Sequence, residues 1–188
     1  WQNRVLVVYD QGDGEKPLSK LLALDAATGK TVWSIPRDVP NSWVSPVIID
    51  VGGQPQLITG ADPWVIAYNP NDGSEIWRRE LDESNSTPPF YGYSTSPVTF
   101  ADLVILATGG DGHAVTAFDR ATGETRWSAG DDSVTYQTPL IFDLGGQPML
   151  VLVTDHLLQG FDPQTRSEER RGGEGGRGGG GGGGGGGG

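Results

Sequence analysis

The chain has 188 residues, a formal net charge of −11 at pH 7 and no cysteine. The acidic excess disfavours nucleic acids and anionic membranes as partners, and the lack of cysteine excludes disulfide and thiol chemistry. No apolar run in the sequence is long enough to cross a bilayer as a helix.

The first predicted element in chain order is a β-hairpin that the chain then repeats. The segment 22–33 places short apolar, β-prone stretches on both sides of a polar turn. Segments 66–77 and 116–127 are further copies, and 159–165 begins a fourth; the copies recur 44, 50 and 43 residues apart. A fixed period in this range indicates a solenoid, a propeller or an array.

Three residue types recur at fixed positions in each hairpin. An Asp or Asn can accept hydrogen bonds from turn amides, a Gly four residues later can adopt positive φ, and a Trp follows eight residues after the Asp or Asn. Equal spacing predicts one structural role repeated three times, with each Trp packed between blades. The residues assigned to this role are Asp25, Gly29, Trp33, Asn69, Gly73, Trp77, Asp119, Gly123 and Trp127.

A second repeated element lies between the hairpins. Ser45-Pro46, Ser96-Pro97 and Thr138-Pro139 each precede a short apolar strand, and a turn and another apolar run follow. Added to the hairpin, these runs predict four strands per repeat, which is the composition of a propeller blade.

The pattern A-[LFY]-[DN]-x-x-[TD]-G-x-x-x-W, followed by [ST]-P-[VL], resembles the PQQ-like β-propeller repeat, a WD40-like architecture, over roughly residues 4–165. That repeat occurs in quinoprotein alcohol dehydrogenases, in the non-enzymatic propeller lipoprotein of the bacterial outer-membrane barrel-assembly machinery, and in other envelope proteins. The resemblance implies an all-β fold of four-stranded antiparallel blades. It also implies a periplasmic, cell-surface or secreted location in a bacterium.

The predicted domain organisation is an incomplete propeller at 1–165 and a low-complexity tail at 166–188. We expect blades at about 1–35, 41–81, 94–128 and 136–165, the middle two complete and the outer two partial. The tail runs from Arg-Ser-Glu-Glu-Arg-Arg into unbroken glycine. Our hypothesis is that it is not native and that the reading frame ran into a sequencing adapter and a run of G bases, which the codons for 166–171 would test.

The resemblance leaves three functions open. The first is a non-catalytic module for binding or scaffolding, without a cofactor. The second is a fragment of a PQQ- and Ca²⁺-dependent dehydrogenase, which implies a vicinal Cys pair, Glu and Asn ligands to Ca²⁺, and a catalytic Asp. The third is a propeller sensor domain of a larger protein. The Cys pair is missing and no other residue of that set can be matched by motif, so no catalytic or cofactor-binding residue is assigned.

Two histidines occupy equivalent positions in neighbouring repeats. His113 precedes Asp119 by six residues, and His156 precedes Asp162 by six. Both therefore fall in the turn between the second and third strands of a blade. Two such imidazoles could share a metal ion or form a pH-sensitive pair, or both could be solvated loop residues.

The connection after the second hairpin is the longest. From Trp to the next [ST]-P proline there are 13 residues after Trp33 and 12 after Trp127, but 20 after Trp77. We expect the extra residues to lie on the same face as the turns between second and third strands. Our hypothesis is that this face binds a protein or a small ligand, and the alternative is that its aromatic rings only cover the blade. The candidate residues are Trp64, Phe90, Tyr91, Tyr93, His113 and His156.

Overall fold

The computed structural model describes residues 1–12, 18–81 and 94–166, and the backbone of 168–170. These residues form four antiparallel sheets, which we call blades 1 to 4, each with its strands in chain order. Blade 1 contains three strands and the other blades contain four. The strands are β1 (Arg4–Tyr9), β2 (Lys20–Asp25), β3 (Thr31–Pro36), β4 (Val47–Val51), β5 (Gln54–Ala61), β6 (Trp64–Tyr68), β7 (Glu75–Glu80), β8 (Val98–Phe100), β9 (Leu103–Ala107), β10 (Val115–Asp119), β11 (Thr125–Ala129), β12 (Leu140–Asp143), β13 (Pro148–Val153), β14 (Leu158–Phe161) and β15 (Glu168–Arg170).

The middle strands of blades 2 and 3 are buried on both faces. Every residue of β9 is buried, and β6 is buried at all positions except Trp64. Consecutive apolar residues suit this environment because a neighbouring blade covers each side of the sheet. The buried apolar residues of the described ranges form two clusters, one spanning blades 2 to 4 and one joining blades 1 and 2.

The hairpin turns use the Asp or Asn that the repeat places there. In blade 1 the carboxylate of Asp25 accepts hydrogen bonds from the Thr28 N–H and hydroxyl at 2.8 and 2.7 Å. These bonds lower the pKa of Asp25. The Gly29 N–H then donates to the Asp25 carbonyl at 2.8 Å, and blades 2 and 3 repeat this bond at the same length.

The fourth turn closes in the same way without glycine. Arg166 takes the glycine position, has a φ of +59°, and donates its N–H to the Asp162 carbonyl at 3.0 Å. Residues 168–170 then pair with β14 as β15. This strand lies beyond residue 165, where the sequence analysis placed the end of the repeats, and it gives blade 4 a fourth strand. The non-native origin of 166–188 stays a prediction.

The repeated Trp of one blade packs on the repeated Gly of the next. A Cβ on Gly73 would lie 2.9 Å from Cζ3 of Trp33, and a Cβ on Gly123 would lie 2.8 Å from Cδ2 of Trp77. Both glycines also have positive φ, so the position excludes a side chain for two reasons. The hairpin repeat therefore codes for blade-to-blade packing as well as for a turn.

The [ST]-P motif links consecutive blades through its hydroxyl group. The Ser45 N–H donates to the Ser96 hydroxyl at 3.0 Å, and the Ser96 N–H donates to the Thr138 hydroxyl at 3.0 Å. Each bond satisfies a backbone donor just before a strand begins. Ser and Thr suit this position because their hydroxyl accepts a hydrogen bond from a backbone N–H of the preceding blade.

Candidate functional site

The turns between second and third strands meet the connections between blades on one side of the molecule, which we call the loop face. In blade 2 the Leu81 N–H, at the start of a connection, donates to the Pro63 carbonyl in such a turn. Between blades 3 and 4 the Gly110 N–H donates to the Asp132 carbonyl at 3.1 Å. The contacts show that both kinds of loop share this face.

The loop face includes three of the residues that the sequence analysis selected. Trp64 is half-buried, and the Arg78 guanidinium lies 5.1 Å from the centre of its ring. His113 is half-buried and His156 is exposed. The other three candidates, Phe90, Tyr91 and Tyr93, lie outside the described residues.

His156 is held by Asp132, which lies in the connection from blade 3 to blade 4. The imidazole Nδ1 is 2.9 Å from Asp132 Oδ1, and the His156 backbone N–H donates to Oδ2 at 2.7 Å. The pKa of His156 is raised, first by the hydrogen bond to Asp132 and then by the charges of Asp132 and Asp155. Partial desolvation acts to raise the pKa of Asp132, but the bonds from His156, Thr154 and Ser133 outweigh it and lower that pKa to about 2.

The neighbouring Asp131 ties two blades together. Its carboxylate accepts from the Gly112 N–H at 2.9 Å in blade 3, and its carbonyl accepts from Gln159 Nε2 at 2.9 Å in blade 4. His113 and His156 thus flank one connection, with separate contacts. Within the ranges 1–12, 18–81 and 94–166, no group of three or more His, Cys, Asp or Glu residues is arranged to hold a metal ion.

A buried ion pair on this face was not foreseen. Arg37 Nη1 lies 2.7 Å from both carboxylate oxygens of Asp10, and neither side chain is exposed to solvent. The Ser42 hydroxyl donates to the same carboxylate, and Arg37 Nε donates to the Tyr68 hydroxyl at 3.2 Å. Burial raises the pKa of Asp10 against the opposing effect of Arg37. One sequence feature could have indicated this pair: Arg37 and Leu81 both lie four residues after the repeated Trp, so a charged residue stands where blade 2 has an apolar one.

Two further aromatic residues on the loop face escaped the sequence analysis. Trp43 and Tyr136 each lie three residues before the proline of an [ST]-P motif, in the connections into blades 2 and 4. Their exposed fractions are 55% and 45%. Their equal distance from the [ST]-P motif is the sequence feature that could have identified them.

A cavity of about 280 Å³ opens between blades 2 and 3. Its described lining combines apolar and hydroxyl-bearing residues with one glutamate and one histidine. The residues are Glu80, Leu81, Thr108, Gly109, His113, Thr116, Phe118, Thr125 and Ser128. We call this cavity the 2–3 cleft.

Four-stranded blades joined by a repeated Trp–Gly contact define the chain as a PQQ-like β-propeller repeat protein. The sequence model of the PQQ_2 family, described as outer membrane protein assembly factor BamB, matches residues 18–165. The chain belongs to this family. Comparison with curated protein sequences gave no match.

Solved structures share the fold at low sequence identity. BamB from Moraxella catarrhalis is 20% identical with a TM-score of 0.57, over 87% of this chain and 52% of that one. Quinohemoprotein alcohol dehydrogenase from Comamonas testosteroni is 16% identical with a TM-score of 0.64, over 89% of this chain and 33% of that one. Saccharomyces cerevisiae Sqt1 is 15% identical with a TM-score of 0.57, over 80% of this chain and 41% of that one. The chain therefore spans about half or less of each of these structures, and the likeness concerns the fold alone.

Proposed function

We propose that this chain is a non-catalytic propeller module that binds a protein partner through its loop face in the bacterial cell envelope. The observation that carries the proposal is the pair of exposed aromatic residues, Trp43 and Tyr136, at equivalent positions on that face. Large aromatic side chains supply much of the binding energy at protein interfaces. The family resemblance supports a periplasmic or cell-surface location.

The charge of the chain favours the same class of partner. A net charge of −11 disfavours nucleic acids and anionic lipid surfaces and favours proteins with basic patches. In the described ranges, no helix has the length and apolar character needed to cross a membrane.

The dehydrogenase alternative has a specific observation in its favour, the shared fold with a quinohemoprotein alcohol dehydrogenase. The residues present do not fit the cofactor set that this alternative implies. The 188 residues contain no Cys for a vicinal pair, and the described ranges hold no cluster that could ligate a metal ion.

Photocrosslinking tests the binding function. A photoreactive amino acid is placed at Trp43 or Tyr136 on the loop face, with controls at the exposed Asn71 and Ala121 in turns at the opposite end of the strands. After incubation with a bacterial envelope fraction, we expect one defined protein adduct from positions 43 and 136 and none from 71 and 121.

Two results would contradict the proposal. One is equal crosslinking from both faces, or none from the loop face. The other is alcohol-dependent dye reduction by the chain after loading with PQQ and Ca²⁺, which would favour the dehydrogenase.

A further inference from the structure

Blade 4 exposes one apolar face of its sheet. Residues that pair across neighbouring strands point to the same side of a sheet, which places Leu140, Val151 and Leu158 on one side. The opposite side, which includes Leu150 and Phe161, belongs to the core that blade 4 shares with blades 2 and 3. We call the first side the free face of blade 4, since Leu140 and Leu158 are exposed there.

Blade 1 exposes an apolar face as well. Val5 pairs with Leu24 and Val7 pairs with Leu22, so these four side chains lie on one side of the sheet. Val5 is exposed and the other three are half-buried. The opposite side, which includes Leu21, belongs to the core joined to blade 2. We call the first side the free face of blade 1.

Both free faces carry apolar residues at repeat positions that other blades bury completely. Leu158 and Val65 each lie four residues before the hairpin Asp or Asn, but Leu158 is 51% exposed and Val65 is 0% exposed between blades 2 and 3. Val5 and Leu57 each pair with the residue just before that Asp or Asn. Val5 is 49% exposed, and Leu57 is 0% exposed between blades 1 and 2. The free faces therefore have the composition of surfaces that pack against another blade.

The two free faces are of opposite and complementary kinds. Val65 lies on the side of blade 2 that also carries Trp77 and meets the glycine of the next blade, and Leu158 is its counterpart. On blade 1 the repeated glycine is uncovered, since a Cβ on Gly29 would meet nothing within 4 Å, whereas Trp rings cover Gly73 and Gly123. Blade 4 thus presents the side that packs onto a following blade, and blade 1 presents the side that receives a preceding one.

A second copy of the chain offers both complementary faces at once. When one surface fits a different surface on an identical chain, the head-to-tail contact either closes into a ring or continues as a filament. By fold, the chain matches 52% of the BamB structure from Moraxella catarrhalis. Two copies therefore provide about the length of one such structure, which favours closure after two. In a closed pair, two contacts form for the entropic cost of one association.

We propose that two copies of this chain assemble head to tail, with the free face of blade 4 of each copy packed against the free face of blade 1 of the other. Two sets of four blades then form one closed ring. Leu158 of one copy is covered in this ring as Val65 is covered within the chain. The inference does not depend on the proposed function, because the free faces are sheet faces and the loop face is formed by connections and turns.

Sedimentation velocity of the whole purified chain tests the assembly. The buffer contains about 0.15 M salt to screen the repulsion between two copies that each carry a net charge of −11. We expect a species of twice 19.9 kDa whose share rises with protein concentration, and no larger species. A chain that remains at 19.9 kDa up to about 100 µM, or one that forms ever larger species, would overturn the proposal.

Substitutions on the free faces locate the contact. Phe142→Lys alters the free face of blade 4, where Phe142 is exposed two residues after Leu140, and Val5→Asp alters that of blade 1. Each places a charge in an apolar contact and should weaken association by about hundredfold or more. Circular dichroism checks that the variants fold, which we expect because both positions are exposed. Unchanged association of either folded variant would overturn the proposal.

Ile76→Lys is the matched control for these charges. Ile76 is 43% exposed in β7 of blade 2, and the same repeat position in blade 3 already holds a basic residue, Arg126. Association should therefore be unchanged in this variant. A loss equal to that of Phe142→Lys would mean that any added charge prevents association, and it would overturn the assignment to the free faces.

A mixture of the two variants tests the direction of the contact. A pair of Phe142→Lys with Val5→Asp retains one contact between unaltered faces, and the altered faces meet with opposite charges. Mixed dimers should therefore form although neither variant dimerises alone. Packing of blade 4 on blade 4 would leave Val5→Asp dimeric, and packing of blade 1 on blade 1 would leave Phe142→Lys dimeric. Either of these results, or no mixed dimer, would overturn the proposal.

Discussion

The Trp77 ring lies directly on the backbone of Gly123 in the next blade, so closely that a Cβ there would be 2.8 Å from Cδ2 of the ring. Trp77 is 8% exposed, and its Nε1–H donates to Gln56 Oε1 at 3.0 Å. Trp77 thus makes a hydrogen bond within blade 2 and also packs against blade 3.

Replacing Trp77 with Ala should therefore lower the free energy of unfolding by about 3–5 kcal/mol, as for aromatic truncation in a core. Chemical denaturation of the purified chain would measure the loss. Ile76→Ala is the matched control, since Ile76 is the adjacent residue of β7 and is 43% exposed. It should cost no more than about 1 kcal/mol, and equal losses in the two variants would show that Trp77 is not a packing residue.

Gly123→Ala should also lower the free energy of unfolding. Comparison with Gly29→Ala separates the clash with Trp77 from the backbone strain. Gly123 and Gly29 have nearly equal φ, +72° and +70°, but a Cβ on Gly29 meets nothing within 4 Å. Gly29→Ala should cost only the backbone strain of about 1–2 kcal/mol. Gly123→Ala should cost a further 1–3 kcal/mol, roughly, because the methyl displaces Trp77. Identical unfolding free energies would contradict the blade-to-blade contact.

Removal of one member of the buried ion pair should be costly. Asp10→Asn leaves the Arg37 guanidinium buried without a counter-charge, so we expect a loss of about 3–5 kcal/mol in the free energy of unfolding. The control is Asp102→Asn, which removes the charge from a 3.1 Å contact to Arg126 between side chains that are 59% and 50% exposed. That change should cost at most about 1 kcal/mol, and a similarly small loss for Asp10→Asn would show that the pair is not stabilising.

The contact between His156 and Asp132 should make stability depend on pH in a defined window. The pKa of His156 is raised above its ordinary value of 6.5, so its contribution is complete below that pH and is lost as the pH rises through the higher folded value. The pKa of Asp132 is lowered from 3.8 to about 2, so its contribution is complete above 3.8 and is lost as the pH falls through about 2. The pair therefore stabilises most between these two limits.

Titration of the His156 ring by NMR would measure this effect. In Asp132→Asn the pKa of His156 should fall towards 6.5. Asp132 has a φ of +104°, and Asn tolerates positive φ better than most residues. Asp131→Asn removes the neighbouring charge without touching the imidazole contact and should lower the His156 pKa less. If both variants lower it equally, general electrostatics and not this hydrogen bond sets the pKa.

Much of the fold was encoded locally and could be predicted. The Asp25-to-Gly29 turn, the Trp that follows it and the [ST]-P strand all lie within one repeat, so their spacing predicts four-stranded blades. The place of Trp64, His113 and His156 on one face also follows from strand order, because successive antiparallel turns alternate between the two ends of a sheet.

The contacts between blades were decided only by the tertiary structure. Arg37, just after the last strand of blade 1, donates to the Tyr68 hydroxyl of blade 2 across 31 positions, and Asp132 meets His156 across 24. The 2–3 cleft is lined by Leu81 of blade 2 and Thr116 of blade 3. A repeat pattern specifies which positions face a neighbour, but the side chains that meet there come from two different copies. Their sizes, charges and hydrogen-bond directions acquire meaning only when the blades are packed together.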